Sequence, residues 1–239
     1  MSDRGVAVVT GGAGGIGRAL LVRLKADGFL TASWDLARGA EEADVTFQVD
    51  VTDADAVGQA ALETEARLGA IRALILNAGI LGPVAPAWEA PLADVRRVIE
   101  VNLVSAFVTL GAVVPLMLRN DAPERGRIVI MSSVQAKEGT ALAGPYAASK
   151  AGLIALAKSL GKELAKDGIL VNVVTPTVVH GPMEQSITQE RRADLLARIP
   201  LGRFLDPAEV AELVSWLCGP GCTFSTGAVF DLSGGRSTY

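Results

Sequence analysis

Short runs of consecutive apolar, often β-branched residues alternate with longer stretches whose apolar positions recur at helical spacing. Gly5-Val6-Ala7-Val8-Val9-Thr10 is apolar at successive positions, the pattern of a strand buried on both faces. A glycine turn follows, then a helical pattern from Arg18 to Ala26 with Gly28 as its stop. Leu30 to Trp34 predicts a second strand ending at Asp35, and Thr46 to Val49 a third ending at Asp50. Asp53 and Asp55 open a helix to about Leu68, with acids at its positive end. Ala73 to Leu76 predicts a fourth strand, followed by a loop with Pro83, Pro86 and Pro91. A long helix is expected from about Leu92 to Leu118, bent late by Pro115. Gly126 to Met131 and Ile169 to Val174 predict two more strands, on either side of a helix from about Tyr146 to Lys166. Residues 177–202 read as irregular or helical. Asp206-Pro207 then caps a helix to about Cys218, and Ala228 to Leu232 predicts a last strand.

A β-α unit repeated without a linker predicts a single α/β domain over residues 1–239. Its doubly wound parallel sheet has about seven strands, with helices on both faces. Ligands of such sheets bind beyond the carboxyl ends of the strands, so residues at those ends are expected on one rim.

Composition narrows the chemistry. The chain has 239 residues, half of them hydrophobic, and a net charge of −4, which gives no basic footprint for nucleic acid or an anionic membrane. Its single histidine, His180, excludes a multi-histidine metal site within one chain, and no metal is expected. Cys218 and Cys222 are read as core thiols rather than a disulfide. The apolar run near the N-terminus is too short for a signal peptide, and no apolar run is read as long enough to span a membrane, so a cytoplasmic location is expected.

Between the first strand and helix, Thr10-Gly11-Gly12-Ala13-Gly14-Gly15-Ile16-Gly17 carries five glycines. Glycine permits positive φ and close approach of backbone N–H groups to a pyrophosphate, which the helix N-terminus also favours. Gly17-Arg18-Ala19 lacks the Lys-Ser/Thr ending of a nucleoside-triphosphate loop. Asp35, 24 residues after Gly11, suits the ribose 2′-hydroxyl of NAD and opposes the 2′-phosphate of NADP. Arg38 is the nearby cation that argues the other way.

Tyr146 and Lys150 are four apart on one helix and share a face, and Ser133 ends the preceding strand. A lysine ammonium and an oxidised nicotinamide both favour the phenolate, lowering a phenol pKa that is ordinarily about 10. A phenolate can take the proton of an alcohol while hydride leaves, with the serine holding the oxygen.

With Thr10-Gly11-x-x-x-Gly15-Ile16-Gly17, Asp50-Val51, Asn77-Ala78-Gly79, Asn102, Ser133, Tyr146-Ala147-Ala148-Ser149-Lys150 and Pro176, the chain resembles the short-chain dehydrogenase/reductase family over nearly its whole length. The resemblance implies a Rossmann-like fold with Gly11, Gly12, Gly15, Ile16 and Gly17 on the pyrophosphate, and with Asp50 and Val51 at adenine. It places Asn77, Ala78 and Gly79 along the adenosine side, and Pro176 and Val179 near the nicotinamide. It implies Tyr146 as acid/base, Lys150 as ribose ligand and charge, Ser133 as substrate-oxygen donor, and Asn102 as holder of a relay water. The family's spacing selects Ser133 over Ser132. Three departures stand out: Leu76 where the family has Asn, Thr177 where it has Gly, and Gly181 where Thr often touches the carboxamide.

By the same resemblance, 178–202 forms the substrate lid, with His180 at its start as a substrate hydrogen-bonding or packing residue. Gln135, Lys137 and Leu142 stand where substrate is read. Lys137 is either a partner for a substrate carboxylate or a solvated surface lysine. Arg191 and Arg192 read as a solvated helix face, and Trp88 and Trp216 as packing residues. Small residues on the 146–166 helix imply a homotetramer, with a dimer second. The expected activity is NAD-dependent interconversion of a secondary alcohol and its ketone, with a polyol, sugar acid or hydroxy acid as substrate. An NADPH-dependent 3-ketoacyl thioester reductase and a non-catalytic nucleotide sensor are the alternatives.

Overall fold

The computed structural model describes residues 4–181 and 188–239. Among these, seven strands form one parallel sheet in the order β3-β2-β1-β4-β5-β6-β7. The strands are β1 (Val6–Thr10), β2 (Leu30–Asp35), β3 (Val45–Gln48), β4 (Ile71–Leu76), β5 (Gly126–Met131), β6 (Ile169–Pro176) and β7 (Val229–Leu232). The central strands read as unbroken apolar runs because both faces are covered. Val6 and Val8 enter one core with Leu74, Ile128 and Ile130, while Ala7 and Val9 enter the other with Ile75, Val129 and Met131.

Helices α1 (Gly15–Ala26) and α8 (Pro207–Cys218) pack on one face. Helices α2 (Ala54–Leu68), α4 (Ser105–Met117) and α6 (Gly144–Glu163) cover the other. The cap predicted at Asp206 is present, and Asp53, expected only as an acid at a helix start, is a cap as well. Asp53 accepts from the Asp55 and Ala56 amides, and Asp206 forms a capping box with Glu209.

The sheet order reverses between β1 and β4, and this switch point is where such sheets bind ligands. Thr10 fastens it: its Oγ1 accepts from the amides of Asn77 (3.0 Å) and Ala78 (3.1 Å). The Asn77 side-chain amide donates back to the Thr10 and Gly11 carbonyls, each at 3.1 Å.

Several expectations need correction. The helix predicted from 92 to 118 is interrupted at Glu100–Val104 by a π-turn between α3 (Leu92–Ile99) and α4, an irregularity not expected there. Pro115 lies inside α4, the third residue from its end, where it removes the backbone bond to the Gly111 carbonyl. By length and mean hydropathy (1.8), Leu92–Met117 is apolar enough to cross a membrane, contrary to the sequence reading. Here its Leu110, Val113, Leu116 and Met117 are in the core. Trp88 does not pack: it is 84% exposed on the proline-rich loop after β4. Trp216 is half exposed with its ring edge-on to Phe230, and Trp34 is the buried one, donating to Thr64 Oγ1 at 3.1 Å. A short helix that the sequence did not announce, α5 (Gln135–Glu138), follows Ser133. Cys218 and Cys222 are free and buried, and burial pushes the Cys218 thiol up to about 12.

Candidate active site

The glycine loop is shaped by contacts that a side chain would break. Gly11 has φ +67°. A Cβ on Gly12 would lie 2.2 Å from Ser33 Oγ, and one on Gly17 would lie 2.2 Å from the Gly11 carbonyl. Gly15 differs: a Cβ there meets nothing within 4 Å, so this glycine keeps open the space in front of α1. Gly14 occupies the N-cap without a side-chain hydrogen bond, leaving the first turn uncapped by any side chain. Open space and an uncapped helix start fit an anion such as the pyrophosphate expected there.

Asp35 ends β2 beside this loop. One carboxylate oxygen accepts the Ala13 amide at 3.0 Å and the other the Ala37 amide at 2.8 Å. Arg18, which sequence reasoning missed, reaches the same corner. Its guanidinium bonds the Ala13 carbonyl (3.0 Å), the Gly39 carbonyl and Glu42 (3.0 Å). Arg38 Nε donates to Gln48 at 3.0 Å. Both cations are thus engaged by protein groups next to a fixed carboxylate.

Farther along the rim, Asp50 accepts from the hydroxyl (2.7 Å) and amide (2.9 Å) of Thr52. These bonds outweigh burial and, with Arg97 adding, hold its carboxyl below the usual range. Val51 is buried beside it. Gly79, expected only along the adenosine, also touches the reaction centre: a Cβ there would lie 3.1 Å from Asn102 Oδ1 and 3.3 Å from Lys150 Nζ. No local pattern signals that approach.

At the centre, the Ser133 hydroxyl stands beside the Tyr146 phenol and acts to lower its pKa. Ser133 Oγ also accepts the Gln135 amide at 3.2 Å. Lys150 Nζ lies 5.8 Å from the Tyr146 ring centre and donates to the Met131 carbonyl at 2.9 Å. Ser132 instead donates to the Lys150 carbonyl at 2.8 Å, which leaves Ser133 as the serine at the tyrosine. Asn102 sits in the π-turn. Its amide holds Ile80 from both sides (2.8 and 2.9 Å) and donates to Ser149 Oγ at 3.0 Å.

The electrostatics differ from the expectation of a lowered phenol. Burial pushes Tyr146 above its ordinary value and the Ser133 hydrogen bond only opposes this. Burial also lowers the Lys150 ammonium, to about 8. Favouring a phenolate therefore needs the positive charge that an oxidised nicotinamide would add.

Candidate substrate residues divide. Gln135 follows Ser133 closely, and its Oε1 is buried with no hydrogen-bond partner among the described residues; Thr177 Oγ1, next to Pro176, is likewise unpartnered there. Leu142, half exposed, has φ +67°, and its carbonyl accepts the Ala85 amide at 3.1 Å. Lys137 is not a solvated surface lysine. Its side chain is 8% exposed, pairs with Asp231 at 3.0 Å and lies over the Tyr239 ring. Val179 bridges to Leu205, and the His180 amide donates to the Leu205 carbonyl at 2.9 Å. The exposed His180 ring stands edge-on to Phe204, which also carries the Arg192 guanidinium over its ring. The middle of the expected lid, 182–187, lies outside the described residues; beyond it runs α7 (Gln189–Ala197), with Arg191 and Arg192.

A family model described as Enoyl-(Acyl carrier protein) reductase matches residues 11–237. A 2-dehydro-3-deoxy-L-rhamnonate dehydrogenase (NAD(+)) of Sphingomonas sp. (strain SKA58) is 42% identical, over 98% of this chain and 95% of that protein. The 3-oxoacyl-[acyl-carrier-protein] reductase MabA of Mycobacterium bovis is 35% identical, over 95% of this chain and 91% of its own length. The crystal structure of an NAD+-bound xylitol dehydrogenase superposes with TM-score 0.89 at 28% identity, covering 98% of this chain and 99% of that one. Likeness of this extent, on this fold and around these side chains, shows that the chain belongs to the short-chain dehydrogenase/reductase family of oxidoreductases.

Proposed function

We propose that this enzyme oxidises a secondary alcohol of a polyhydroxylated acid, a sugar acid, to the ketone with NAD+. The observation that carries the cofactor assignment is Asp35, whose carboxylate is fixed by two backbone amides beside the glycine loop. A 2′-phosphate there would meet a negative charge, while a 2′-hydroxyl would find an acceptor. The engagement of Arg18 with Glu42 and of Arg38 with Gln48 supports the same choice. The substrate class rests on the NAD(+)-dependent sugar-acid dehydrogenase at 42% identity. Buried, unpartnered oxygens on Gln135 and Thr177 suit a hydroxyl-rich substrate.

Gly15, Ile16 and Gly17 would hold the pyrophosphate, Asp35 the adenosine ribose, Asp50 and Val51 the adenine, and Lys150 the nicotinamide ribose. When bound, NAD+ supplies the hydride acceptor. Ser133 and Tyr146, neighbours in the site, would converge on the substrate oxygen. Tyr146 as phenolate takes the hydroxyl proton, and Ser133 holds the oxygen as it becomes a carbonyl. Lys150 supplies positive charge near the phenol.

We further place the enzyme in the cytoplasm as a homotetramer. Two free, buried thiols support the compartment. The half-exposed Phe107 on α4 and the small residues of α6 support helix-to-helix association. Light scattering tests the assembly.

The function is tested by assaying NAD+ and NADP+ reduction with 2-dehydro-3-deoxy-L-rhamnonate and with xylitol, and NADH and NADPH oxidation with a 3-ketoacyl thioester. NADH formation from the sugar acid is expected. Dominant NADPH-dependent thioester reduction, the activity of the 35%-identical reductase, would contradict the reading.

A further inference from the structure

The end of β7 and the segment after it are built onto the helix that follows the catalytic serine. Asp231 holds Lys137 of α5 at 3.0 Å. Arg236, its side chain only 6% exposed, reaches Glu138 of α5 with two nitrogens, at 2.8 and 3.0 Å. The Tyr239 hydroxyl donates to the Lys137 carbonyl, and its ring lies under the Lys137 ammonium. The segment is itself internally tied. Asp231 accepts from the Ser233 amide and hydroxyl, and Ser233 Oγ accepts the Ser237 amide at 3.0 Å. Burial alone would raise the Asp231 carboxyl, but Ser233 and Lys137 outweigh it and hold it below its usual range.

The four-residue helix α5 is too short to hold itself in place. Its first amide, on Gln135, donates to Ser133 Oγ. With one lone pair of that oxygen engaged, the rotation of the serine hydroxyl is restricted beside Tyr146, the phenol whose pKa it acts to lower. We propose that Arg236 and Asp231 are positioning residues for the reaction: by clamping α5 they fix the Gln135 amide, which aims the Ser133 hydroxyl at Tyr146. This rests on the role given to Ser133 above. It assigns a function to residues 94 and 98 positions away in sequence from their α5 partners.

The chain has only two tyrosines, which makes a substrate-free test practical. In protein labelled at the tyrosine ring carbon, two NMR signals are recorded and Tyr146 is assigned by its loss in Tyr146→Phe. Ser133→Ala defines the resonance without the serine bond. Arg236→Gln is expected to move Tyr146 toward that position, and the exchange Glu138→Arg with Arg236→Glu to return it. A Tyr146 signal unmoved by Arg236→Gln but moved by Ser133→Ala overturns the proposal and leaves the Ser133 reading intact. A signal unmoved by Ser133→Ala overturns both. If Arg236→Gln does not fold, Tyr239→Ala, at a residue 78% exposed, is expected to shift Tyr146 in the same direction, and no shift overturns the proposal.

Discussion

The Ala13 amide and the Asp35 carboxylate, 22 residues apart, are joined at 3.0 Å, so the acid that reads the cofactor also ties β2 to the glycine loop. Replacing Asp35 by Ala removes the charge that opposes a 2′-phosphate and frees two backbone amides. A hydrogen bond to a charged group is worth about 1.5–3 kcal/mol. Asp35→Ala is therefore expected to weaken NADH binding by about ten- to a hundredfold, with NADPH affected much less. Fluorescence titration with both nucleotides measures the ratio, and an unchanged ratio would remove Asp35 from the selectivity argument.

Two glycines of one loop should behave differently. A Cβ at Gly17 collides with the Gly11 carbonyl, so Gly17→Ala is expected to lower the melting temperature and NADH affinity together. At Gly15 the space is open on the protein side, and a helical alanine is favoured over glycine by roughly 0.5–1 kcal/mol. Gly15→Ala should keep or raise the melting temperature while weakening NADH. Equal losses of stability in both variants would show that Gly15 serves the fold rather than the nucleotide.

Tyr146→Phe removes the group that takes the proton but keeps the ring. Turnover is expected to fall by roughly 10²–10⁴-fold. The NADH dissociation constant should change little, because the hydroxyl meets Ser133 rather than the nucleotide side. Steady-state rates set beside binding titrations check this. A variant that loses binding and rate in parallel would make Tyr146 a cofactor residue first.

Lys150 carries a stability cost with a defined pH window. Burial lowers it to about 8, against about 10.4 in an unfolded chain. Between those values the unfolded chain binds more protons, so the contribution improves as pH rises from about 8 to about 10.4. Below 8 the folded protein bears the full cost, roughly 3 kcal/mol. Lys150→Met is expected to abolish turnover yet melt several degrees higher at pH 7, with the gain shrinking above pH 8. Calorimetry of the nucleotide-free protein at both pH values decides it; a lower melting temperature at pH 7 would contradict the sign.

Much of this architecture is legible locally. Val6 to Val9 read as a strand because neighbours on the chain enter opposite cores, and Asp206 reads as a cap because capping is a matter of two or three residues. The rim was legible once strand ends were known, since Gly11, Asp35, Asn77 and Ser133 each end a strand or follow one within two residues. What escaped depends on distant partners. The π-turn is held by Asn102 through Ile80 and Ser149, 22 and 47 residues away. Lys137 looks solvated until Asp231, 94 positions later, folds onto it. Trp88 looks like core by side chain alone, yet the proline-rich loop carries it into solvent. The desolvation that opposes a Tyr146 phenolate is a tertiary property that no local pattern announces.

The central claim is that this enzyme is built for NAD, and paired titration of the purified protein with NADH and NADPH tests it most directly, read through its three tryptophans. The account predicts NADH binding at least about tenfold tighter, a difference of roughly 1.4 kcal/mol or more. Tighter binding of NADPH would mean that Arg18 or Arg38 leaves its protein partner for the 2′-phosphate and overrides Asp35, and would contradict the account.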